Sequence, residues 1–484
     1  MTDSPNIIKT GIDGFDEILQ GGLTESRAYL VSGGPGCGKT TMGLHFLTAG
    51  TQLNQLVLYI TLQEPVVTLR QNAARQGFKL DDVDFLDLSP SSAVFSENQG
   101  YDIFSSSEIE REPITSKIVE AFLAVKPTRV FVDPATQFRY LSSDLYQYRL
   151  QVLSFLRFMT EQGATVLFTS EGSQEAPDED LQFMADGVIQ LENTATGRYI
   201  SISKLRGSDF KSGRHTMRLT SKGTEVFVRL MPQNIRKEFT AEVIPSGVPE
   251  LDEMLNGGLE RGTVTILTGP TGVGKTTLGY QFMKECAGRG ERSVVYSFEE
   301  EVEIMLGRCD QVNIPARAMI ERETLQVVKV EPLEYTPDEF AYLVRCHVEQ
   351  EHVKLVMIDS LAGYNLSMRG ENFVTHLHSL IKYLQNRGVA VILVTETSQV
   401  VGDFEVTEAG VSYLADNVIF LRYLEIKGEL RKAIGILKKR LSNFEKTLRE
   451  FEITRYGIKV GKPLLNLRGI LRGVPEWVND ENGK

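Results

Sequence analysis

Cysteine is scarce in this sequence, and what is missing around it excludes a metal site of the common thiolate type. The 484 residues include four cysteines, which are Cys37, Cys286, Cys309 and Cys346. No two of them have C-x-x-C spacing, and no histidine cluster lies near them, so the sequence does not predict a zinc site. Scattered thiols at this density are typical of a reducing cytoplasm, where we expect the protein to reside.

Excess positive charge and long apolar runs are also lacking. The formal net charge is −12 at pH 7, which argues against broad nucleic-acid binding because such proteins present a basic surface. The segment 438–440, Lys-Lys-Arg, is the best candidate for a local basic patch. No apolar run approaches the roughly 18 residues of a membrane span, and the first residues lack a signal-peptide pattern. We therefore expect no membrane partner.

What the sequence does contain is an internal repeat. Residues 10–41, TGIDGFDEILQGGLTESRAYLVSGGPGCGKTT, align without a gap to residues 246–277, SGVPELDEMLNGGLERGTVTILTGPTGVGKTT. The same offset relates Glu64 to Glu300, and a slightly smaller one relates Asp133 to Asp359. Self-similarity at this period indicates two copies of one domain. We predict domains at 1–232 and 244–484, joined by a linker at 233–243 that lacks clear periodicity.

Short apolar runs alternate with longer helical patterns in each copy. The runs in the first copy are Ala28–Ser32, Leu56–Leu62, Arg129–Asp133, Ala164–Thr169 and Gly187–Leu191. Those in the second are Thr263–Leu267, Ser293–Phe298, Lys354–Asp359, Val389–Thr395 and Asn417–Leu421. Continuous apolar runs are typical of parallel strands buried on both faces. The pattern predicts an α/β fold, in which each domain is a mostly parallel sheet flanked by helices.

Each copy carries the phosphate-binding motif G-x-x-x-x-G-K-[ST], at residues 33–40 and 269–276. Its glycines allow backbone N–H groups to converge on phosphates, and the following helix presents its positive end to the anion. Each motif follows an apolar strand and begins a helical pattern, whereas a glycine-rich turn without a ligand is the plainer alternative. The predicted ATP-binding residues are Gly34, Gly36, Gly38, Lys39, Thr40, Thr41, Gly272, Gly274, Lys275, Thr276 and Thr277.

Acidic residues at strand ends supply candidates for metal binding and for catalysis. Asp133 and Asp359 each end an apolar run, where a carboxylate can hold Mg²⁺ together with the motif residues Thr40 and Thr276. A further acidic segment, containing Glu64 in the first copy and Glu299 and Glu300 in the second, can orient or deprotonate an attacking hydroxyl group. The plainer alternatives are an aspartate in a turn and a solvated loop charge.

Together these motifs resemble the KaiC family of tandem RecA-like ATPases of the cyanobacterial clock. The resemblance rests on the opening G-[IV]-x-x-[FL]-D-E-[IM]-L-x-G-G-L, the two phosphate motifs, the acidic segments and two K-x-R pairs. It implies two tandem RecA-like P-loop NTPase domains in a homohexameric ring with ATP between subunits. Lys204 and Arg206, and Lys438 and Arg440, would then contact the neighbour's γ-phosphate. A solvated strand end or a DNA contact is the alternative for the second pair.

The resemblance also implies different activities for the two domains, namely slow ATP hydrolysis in the first and autophosphorylation in the second. Ser412 occupies the family's serine acceptor position and Thr407 its upstream threonine, but Tyr413 replaces the adjacent threonine. A two-site phosphorylation cycle is therefore in doubt, because the longer tyrosine would overshoot a site built for threonine. Packing of Ser412 and Tyr413 at an interface is the plainer alternative.

Two further departures affect the first domain and the partners. Gln63 replaces a glutamate, so hydrolysis in the first domain depends on Glu64 and is expected to be slow. The short segment Glu476–Lys484 argues against a KaiA-type activator, whereas a KaiB-type partner is left open. A RecA-like DNA-dependent ATPase and an ATP-dependent scaffold without kinase activity are the competing functions. The biological output is left open as well.

Overall fold

The computed structural model describes residues 6–90, 111–139, 144–172, 178–231, 242–367, 373–397, 412–426, 428–465, 467–468 and 476–477. The chain divides into two compact units, Met1–Arg229 and Leu230–Lys484. Of the predicted linker, only residues 242 and 243 lie in the described ranges, so its extent stays a prediction. No helix in these ranges is both long enough and apolar enough to span a membrane.

The first unit contains an antiparallel pair of short strands and a large mixed sheet. Its strands are β1 (Ile7–Ile8), β2 (Leu23–Thr24), β3 (Ala28–Gly33), β4 (Val57–Thr61), β5 (Asp84–Asp87), β6 (Arg129–Asp133), β7 (Thr165–Ser170), β8 (Gly187–Thr194), β9 (Gly197–Leu205), β10 (His215–Thr220) and β11 (Gly223–Phe227). Its α-helices are α1 (Asp13–Ile18), α2 (Lys39–Thr51), α3 (Val66–Arg75), α4 (Arg111–Val125), α5 (Leu145–Glu161) and α6 (Glu179–Met184).

The second unit repeats the strand order of the first and adds two short strands and further helices. Its strands are β12 (Val243–Ile244), β13 (Leu259–Glu260), β14 (Val264–Gly269), β15 (Ser293–Ser297), β16 (Leu325–Lys329), β17 (Leu355–Asp359), β18 (Ala390–Glu396), β19 (Asn417–Ile426), β20 (Glu429–Lys439), β21 (Arg449–Thr454), β22 (Gly457–Pro463), β23 (Leu467–Arg468) and β24 (Glu476–Trp477). Its α-helices are α7 (Pro249–Met254), α8 (Lys275–Gly288), α9 (Val302–Gln311), α10 (Ala316–Glu321), α11 (Pro337–Glu349), α12 (Leu361–Ser367) and α13 (Phe373–Asn386).

Each unit is built on a nine-stranded sheet. The strand order is β11-β10-β9-β8-β3-β7-β6-β4-β5 in the first and β16-β15-β17-β18-β14-β19-β20-β21-β22 in the second. Neighbours are parallel from β8 to β5 and from β16 to β19, and the remaining strands, β9–β11 and β20–β22, are antiparallel. The predicted α/β class with two mostly parallel, helix-flanked sheets is confirmed.

The central strands are buried on both faces because helices cover both sides of the sheet. In β3, Tyr29 and Val31 pack into the cluster that contains Phe46 of α2, whereas Leu30 packs into the cluster that contains Leu156 of α5. Successive side chains of a strand point to opposite faces, so an almost wholly apolar run supplies both clusters. Burial of each such side chain stabilises the fold by roughly 1.5–3 kcal/mol.

This topology brings the predicted site residues together. The phosphate motif follows β3 in the first unit and β14 in the second, and Asp133 and Asp359 are the last residues of β6 and β17. The carboxyl ends of parallel strands share one edge of a sheet, which is where ligands bind in open α/β folds. In each unit the motif and the aspartate therefore meet at that edge.

Candidate nucleotide-binding sites

The glycine before each motif lysine has a backbone conformation that few other residues adopt. Gly38 has φ +104° and Gly274 has φ +116°, and α2 and α8 begin at the next residue. A Cβ added to Gly274 would lie 2.4 Å from Ile453 Cδ1. The left-handed turn aims the first N–H groups of the helix at the space above the loop, where they can bind phosphate.

The motif lysines lie over their own loops. Lys39 Nζ donates to the carbonyl oxygens of Gly33 at 2.6 Å and Gly34 at 2.9 Å. Lys275 Nζ donates to those of Gly269 at 2.9 Å and Pro270 at 3.0 Å. Both ammonium groups are thus held where the oxygens of a bound phosphate would accept hydrogen bonds from them.

Lys275 has a carboxylate nearby. Its side chain is 5% exposed, and Nζ lies 3.5 Å from Glu396 Oε1, which also accepts from Thr271 Oγ1 at 3.1 Å. Burial lowers the pKa of Lys275, and the charge of Glu396 opposes that shift. Glu396 was not among the predicted site residues, although the Glu that ends the apolar run 389–395 is visible in the sequence.

A threonine and an aspartate form the predicted metal pair in each unit. Thr40 Oγ1 donates to Asp133 Oδ2 at 2.7 Å, and Thr276 Oγ1 donates to Asp359 Oδ2 at 2.7 Å. Hydroxyl and carboxylate oxygens are the ligands that Mg²⁺ prefers, directly or through water. The donor set at each of these pairs therefore fits Mg²⁺ bound to nucleotide phosphates.

The surroundings of the two aspartates are unequal. Asp133 also accepts from Tyr59 Oη at 3.2 Å and from Thr169 Oγ1 at 2.5 Å. At the corresponding positions the second unit has Val295 and Val394, which carry no hydroxyl. The pKa of Asp359 rises to about 6 because it is buried, while the Thr276 bond opposes the shift and the charge of Glu299 adds to it.

The predicted glutamates point to different partners. Glu299 accepts a hydrogen bond from Ser360 Oγ, whereas Glu300 pairs with Arg308 at 2.7 Å between Oε2 and Nη2. In the first unit, Glu64 Oε1 accepts from Asn72 Nδ2 at 2.9 Å. Glu64 is therefore placed like Glu300, and Gln63 stands at the position of Glu299.

A cavity of about 560 Å³ joins these groups in the second unit. Its lining includes the motif residues Gly272, Gly274, Lys275, Thr276 and Thr277, together with Glu299, Glu300, Asp359 and Glu396. Lys432 and Ile453 line it from the antiparallel strands. The volume lies within the range of roughly 300–1,000 Å³ that small-molecule sites occupy, so a nucleotide fits.

The first K-x-R pair binds its own chain. Lys204 Nζ donates to the carbonyl oxygens of Gln182 at 2.8 Å and Phe183 at 3.2 Å. Arg206 Nη1 lies 3.7 Å from Asp186 Oδ1. These contacts place both cations beside the end of α6, and their action on a neighbouring subunit stays a prediction.

The second pair is arranged in the same way. Lys438 Nζ donates to Ala415 O at 2.6 Å, and Arg440 Nη1 lies 3.1 Å from Asp416 Oδ1. Between them, the Lys439 side chain is 0% exposed, and its Nζ lies 2.6 Å from Glu260 Oε1. The three basic residues therefore do not form one solvated patch, because the middle one is buried in an ion pair.

The predicted acceptor segment is described in part. A short 3-10 helix, Ser412–Leu414, precedes β19, and the Tyr413 side chain is 52% exposed with its ring 6.3 Å from that of His378. Thr407 lies outside the described residues. Phe183 stands at the position of Tyr413 in the first unit and is 78% exposed. One signal for this match is visible in the chain, since each aromatic residue lies four positions before its strand.

Comparisons with known proteins agree with this geometry. A family model described as "ATPase: KaiC" matches residues 8–230 and 244–464. The chain is 28% identical to "Circadian clock protein KaiC3" of Synechocystis sp. over 98% of this chain and 96% of that protein. It is 27% identical to "Circadian clock oscillator protein KaiC" of Parasynechococcus marenigrum, over 98% and 94% of the two chains. The resemblance seen in the sequence motifs is confirmed.

Proposed function

This chain belongs to the KaiC ATPase family, and from that premise we propose that it binds Mg-ATP at both P-loops and phosphorylates itself in its second domain. Ser412 is the favoured acceptor, and the working form is a homohexameric ring in the cytoplasm. The first site holds ATP and hydrolyses it slowly. KaiC relatives by name serve circadian clocks, and a clock-type regulatory role with a KaiB-type partner is the corresponding expectation.

The observation that carries this proposal is the cavity of the second unit, where a lysine, a threonine–aspartate pair and a glutamate converge. Lys275 would bind the β- and γ-phosphates, and Thr276 with Asp359 would hold Mg²⁺, whose charge offsets that of the phosphates. Glu299 would orient the attacking hydroxyl group of serine or water and take its proton.

The acceptor segment supports the second domain as the site of phosphate transfer. Ser412 begins the short helix whose following residue, Ala415, accepts from Lys438. A basic side chain held at the end of the acceptor segment can offset charge that develops during phosphoryl transfer. In the first unit, Gln182 stands at the position of Ser412 and offers no hydroxyl.

The test is incubation of the full chain with Mg-ATP, followed by mass-spectrometric mapping of phosphosites. We expect phosphate on Ser412 in the wild type and its loss, by at least about 100-fold in rate, in Lys275→Ala and Glu299→Gln. Glu303→Gln is the matched control, because Glu303 is an exposed glutamate in the helix that follows Glu299 and Glu300 and pairs with Arg317. Phosphate on Ser412 that persists in both site variants would exclude autophosphorylation at this site.

One observation favours a second candidate, hydrolysis of ATP without transfer to the protein. Tyr413 and Phe183 are matched exposed aromatic residues, so the acceptor segment of the second unit resembles that of the first at this position. Release of inorganic phosphate by the wild type, without phosphate on any residue of the chain, would select this candidate. A shift of the protein with single-stranded DNA that weakens as salt is added would instead revive the DNA-dependent ATPase.

A further inference from the structure

We propose that Ser360 is the positioning residue for Glu299, the carboxylate that the proposed function places beside the attacking hydroxyl group. The inference rests on the proposed function of the second site. It assigns to a serine just after β17 the task of holding a glutamate just after β15.

The two glutamates differ in what binds them. Glu300 Oε2 forms an ion pair with Arg308, and its backbone carbonyl oxygen accepts from Ser297 Oγ at 2.7 Å. The Glu300 oxygen that contacts the guanidinium group is therefore not free to accept the proton of a nucleophile. Within the part of the chain that the structure describes, Glu299 forms no ion pair, and its carboxylate accepts a hydrogen bond from the neutral hydroxyl of Ser360.

Glu299 also faces the reacting end of the cavity. Burial is the main influence on the pKa values of Asp359 and Lys275, and the charge of Glu299 acts to raise both. Both of those residues belong to the predicted phosphate and metal site. Glu299 therefore lies close enough to that site to act on a nucleophile bound beside it.

The Ser360 hydroxyl accepts one hydrogen bond and donates another. Its side chain is buried, with the residue 2% exposed, and its oxygen accepts from Gly363 N at 3.2 Å in the first turn of α12. Because the oxygen accepts this bond, its single proton is left to donate to Glu299 Oε1. A glutamate on a loop loses rotamer freedom when held in this way, which favours a reactive geometry.

The first unit lacks both partners of this contact. Gln63 stands at the position of Glu299, and Pro134 stands at the position of Ser360. Proline has no hydroxyl to donate, and glutamine cannot accept the proton of a nucleophile. The pair is therefore present in the domain expected to transfer phosphate and absent from the domain expected to hold ATP.

The first experiment measures steady-state ATP hydrolysis by the full chain with both P-loops intact. The difference between wild type and Glu299→Gln defines the Glu299-dependent rate. We expect Ser360→Ala to lower kcat for the Glu299-dependent hydrolysis about tenfold and to leave KM for ATP unchanged. Ser360→Thr, which keeps a hydroxyl group, should retain the wild-type kcat. In a Glu299→Gln background, Ser360→Ala should cause no further loss.

Two results would overturn the inference: full kcat in Ser360→Ala, or an independent, multiplicative loss when it is combined with Glu299→Gln. If Glu299→Gln hydrolyses ATP like the wild type, the role given to Glu299 fails. Lys275→Ala then separates the cases, because unchanged hydrolysis in that variant rejects the second site as a whole, whereas a fall rejects only Glu299.

A gain of function in the first unit covers the case in which Ser360→Ala does not fold. With Glu299→Gln present to silence the second site, Gln63→Glu alone should raise hydrolysis only slightly. Gln63→Glu combined with Pro134→Ser should raise it about tenfold further. Equal rates in the single and the double variant would contradict the role given to the serine hydroxyl.

Discussion

His45 lies in α2, one turn beyond the first P-loop, and its ring is packed edge-on against Phe78 at 4.8 Å between centroids. Its Nε2 accepts from Thr224 N at 2.8 Å, which requires the neutral imidazole. Burial lowers the pKa of His45 to about 4, and a hydrogen bond with the Gly11 backbone opposes the shift. The second unit has Gln281 at this position, which has no titrating group.

This difference predicts acid sensitivity of the first unit. The folded pKa of His45 lies below its unfolded value, so its contribution is complete above about pH 6.5 and is lost as the pH falls towards 4. The free energy of unfolding should fall by up to about 3 kcal/mol across that window, and less in His45→Gln. The urea concentration at which half of the first unit is unfolded can be measured at pH 7 and at pH 5. The readout is labelling of Cys37, which is buried in the folded unit, with a disulfide reagent that also reacts in acid.

The control for this measurement is His352→Gln, which changes an exposed histidine of the second unit. It should leave the pH dependence of the first unit unchanged. Identical pH dependence in wild type and His45→Gln would show that another group titrates in this window.

At this scale the sequence identified the residues of fixed local spacing and missed those that meet through the fold. Lys39 and Thr40 belong to one contiguous motif, and Asp133 ends an apolar run, so all three were predicted. Ser360 and Glu299 are 61 residues apart and meet only because β15 and β17 are adjacent strands. A pattern within one segment carries no information on such a contact.

At the scale of the element, the helix after each P-loop packs closely on the sheet because it carries a glycine. A Cβ added to Gly43 would lie 2.1 Å from Phe131 Cζ, and one added to Gly279 would lie 2.3 Å from Met357 Sδ. The aromatic ring cannot move aside within a packed core, whereas a thioether can take another rotamer. The two equivalent glycines are therefore not equally replaceable.

We expect Gly43→Ala to destabilise the first unit by about 2–3 kcal/mol, because overpacking outweighs the higher helix propensity of alanine. Gly279→Ala should change the second unit by less than about 1 kcal/mol for the opposite reason. Urea unfolding can be followed separately in each variant through the buried thiols Cys37 and Cys286. Equal losses in the two variants would mean that the side chain beneath the helix does not decide the outcome.

The elements were predictable where one physical rule decided them. The parallel strands are buried on both faces, so a short apolar run marks each of them, and β6 was predicted with its observed bounds. The antiparallel strands β9–β11 and β20–β22 were not predicted, because they mix buried with exposed residues and their pairing depends on neighbours elsewhere in the chain. The edge strand β5, with sequence DFLD, gave no apolar signal.

For the whole molecule, the arrangement of the K-x-R pairs bears on assembly. Lys204 and Lys438 each donate to carbonyl oxygens of their own chain at the turn before β8 and β19. Exposed Phe183 and Tyr413 lie beside these turns. Aromatic residues such as these are enriched in protein interfaces, which is where the family resemblance places the two lysines.

With ATP we expect a native mass about six times the 54.1 kDa of the chain. Lys204→Ala and Lys438→Ala should each shift the population towards smaller species, because the γ-phosphate of a neighbour would lose a cationic partner. Native mass spectrometry at low and high ATP checks both effects, with Lys222→Ala, an exposed residue of a turn, as the control. A chain that stays at its monomer mass with ATP would reject the interface roles of both lysines.

The buried pair of Glu260 and Lys439 constrains how the two copies diverged from their common ancestor. The first unit has Thr24 and Leu205 at these positions, so two substitutions separate the arrangements. Lysine alone at the fully buried position would keep only the neutral carbonyl of Gly258, 2.9 Å from its Nζ, and removal of the anionic partner of a buried charge typically costs about 3–5 kcal/mol. Glutamate alone is better tolerated, because Ser442 Oγ donates to it at 2.8 Å. Whichever arrangement is older, the evolutionary path between them is expected to pass through the glutamate–leucine intermediate.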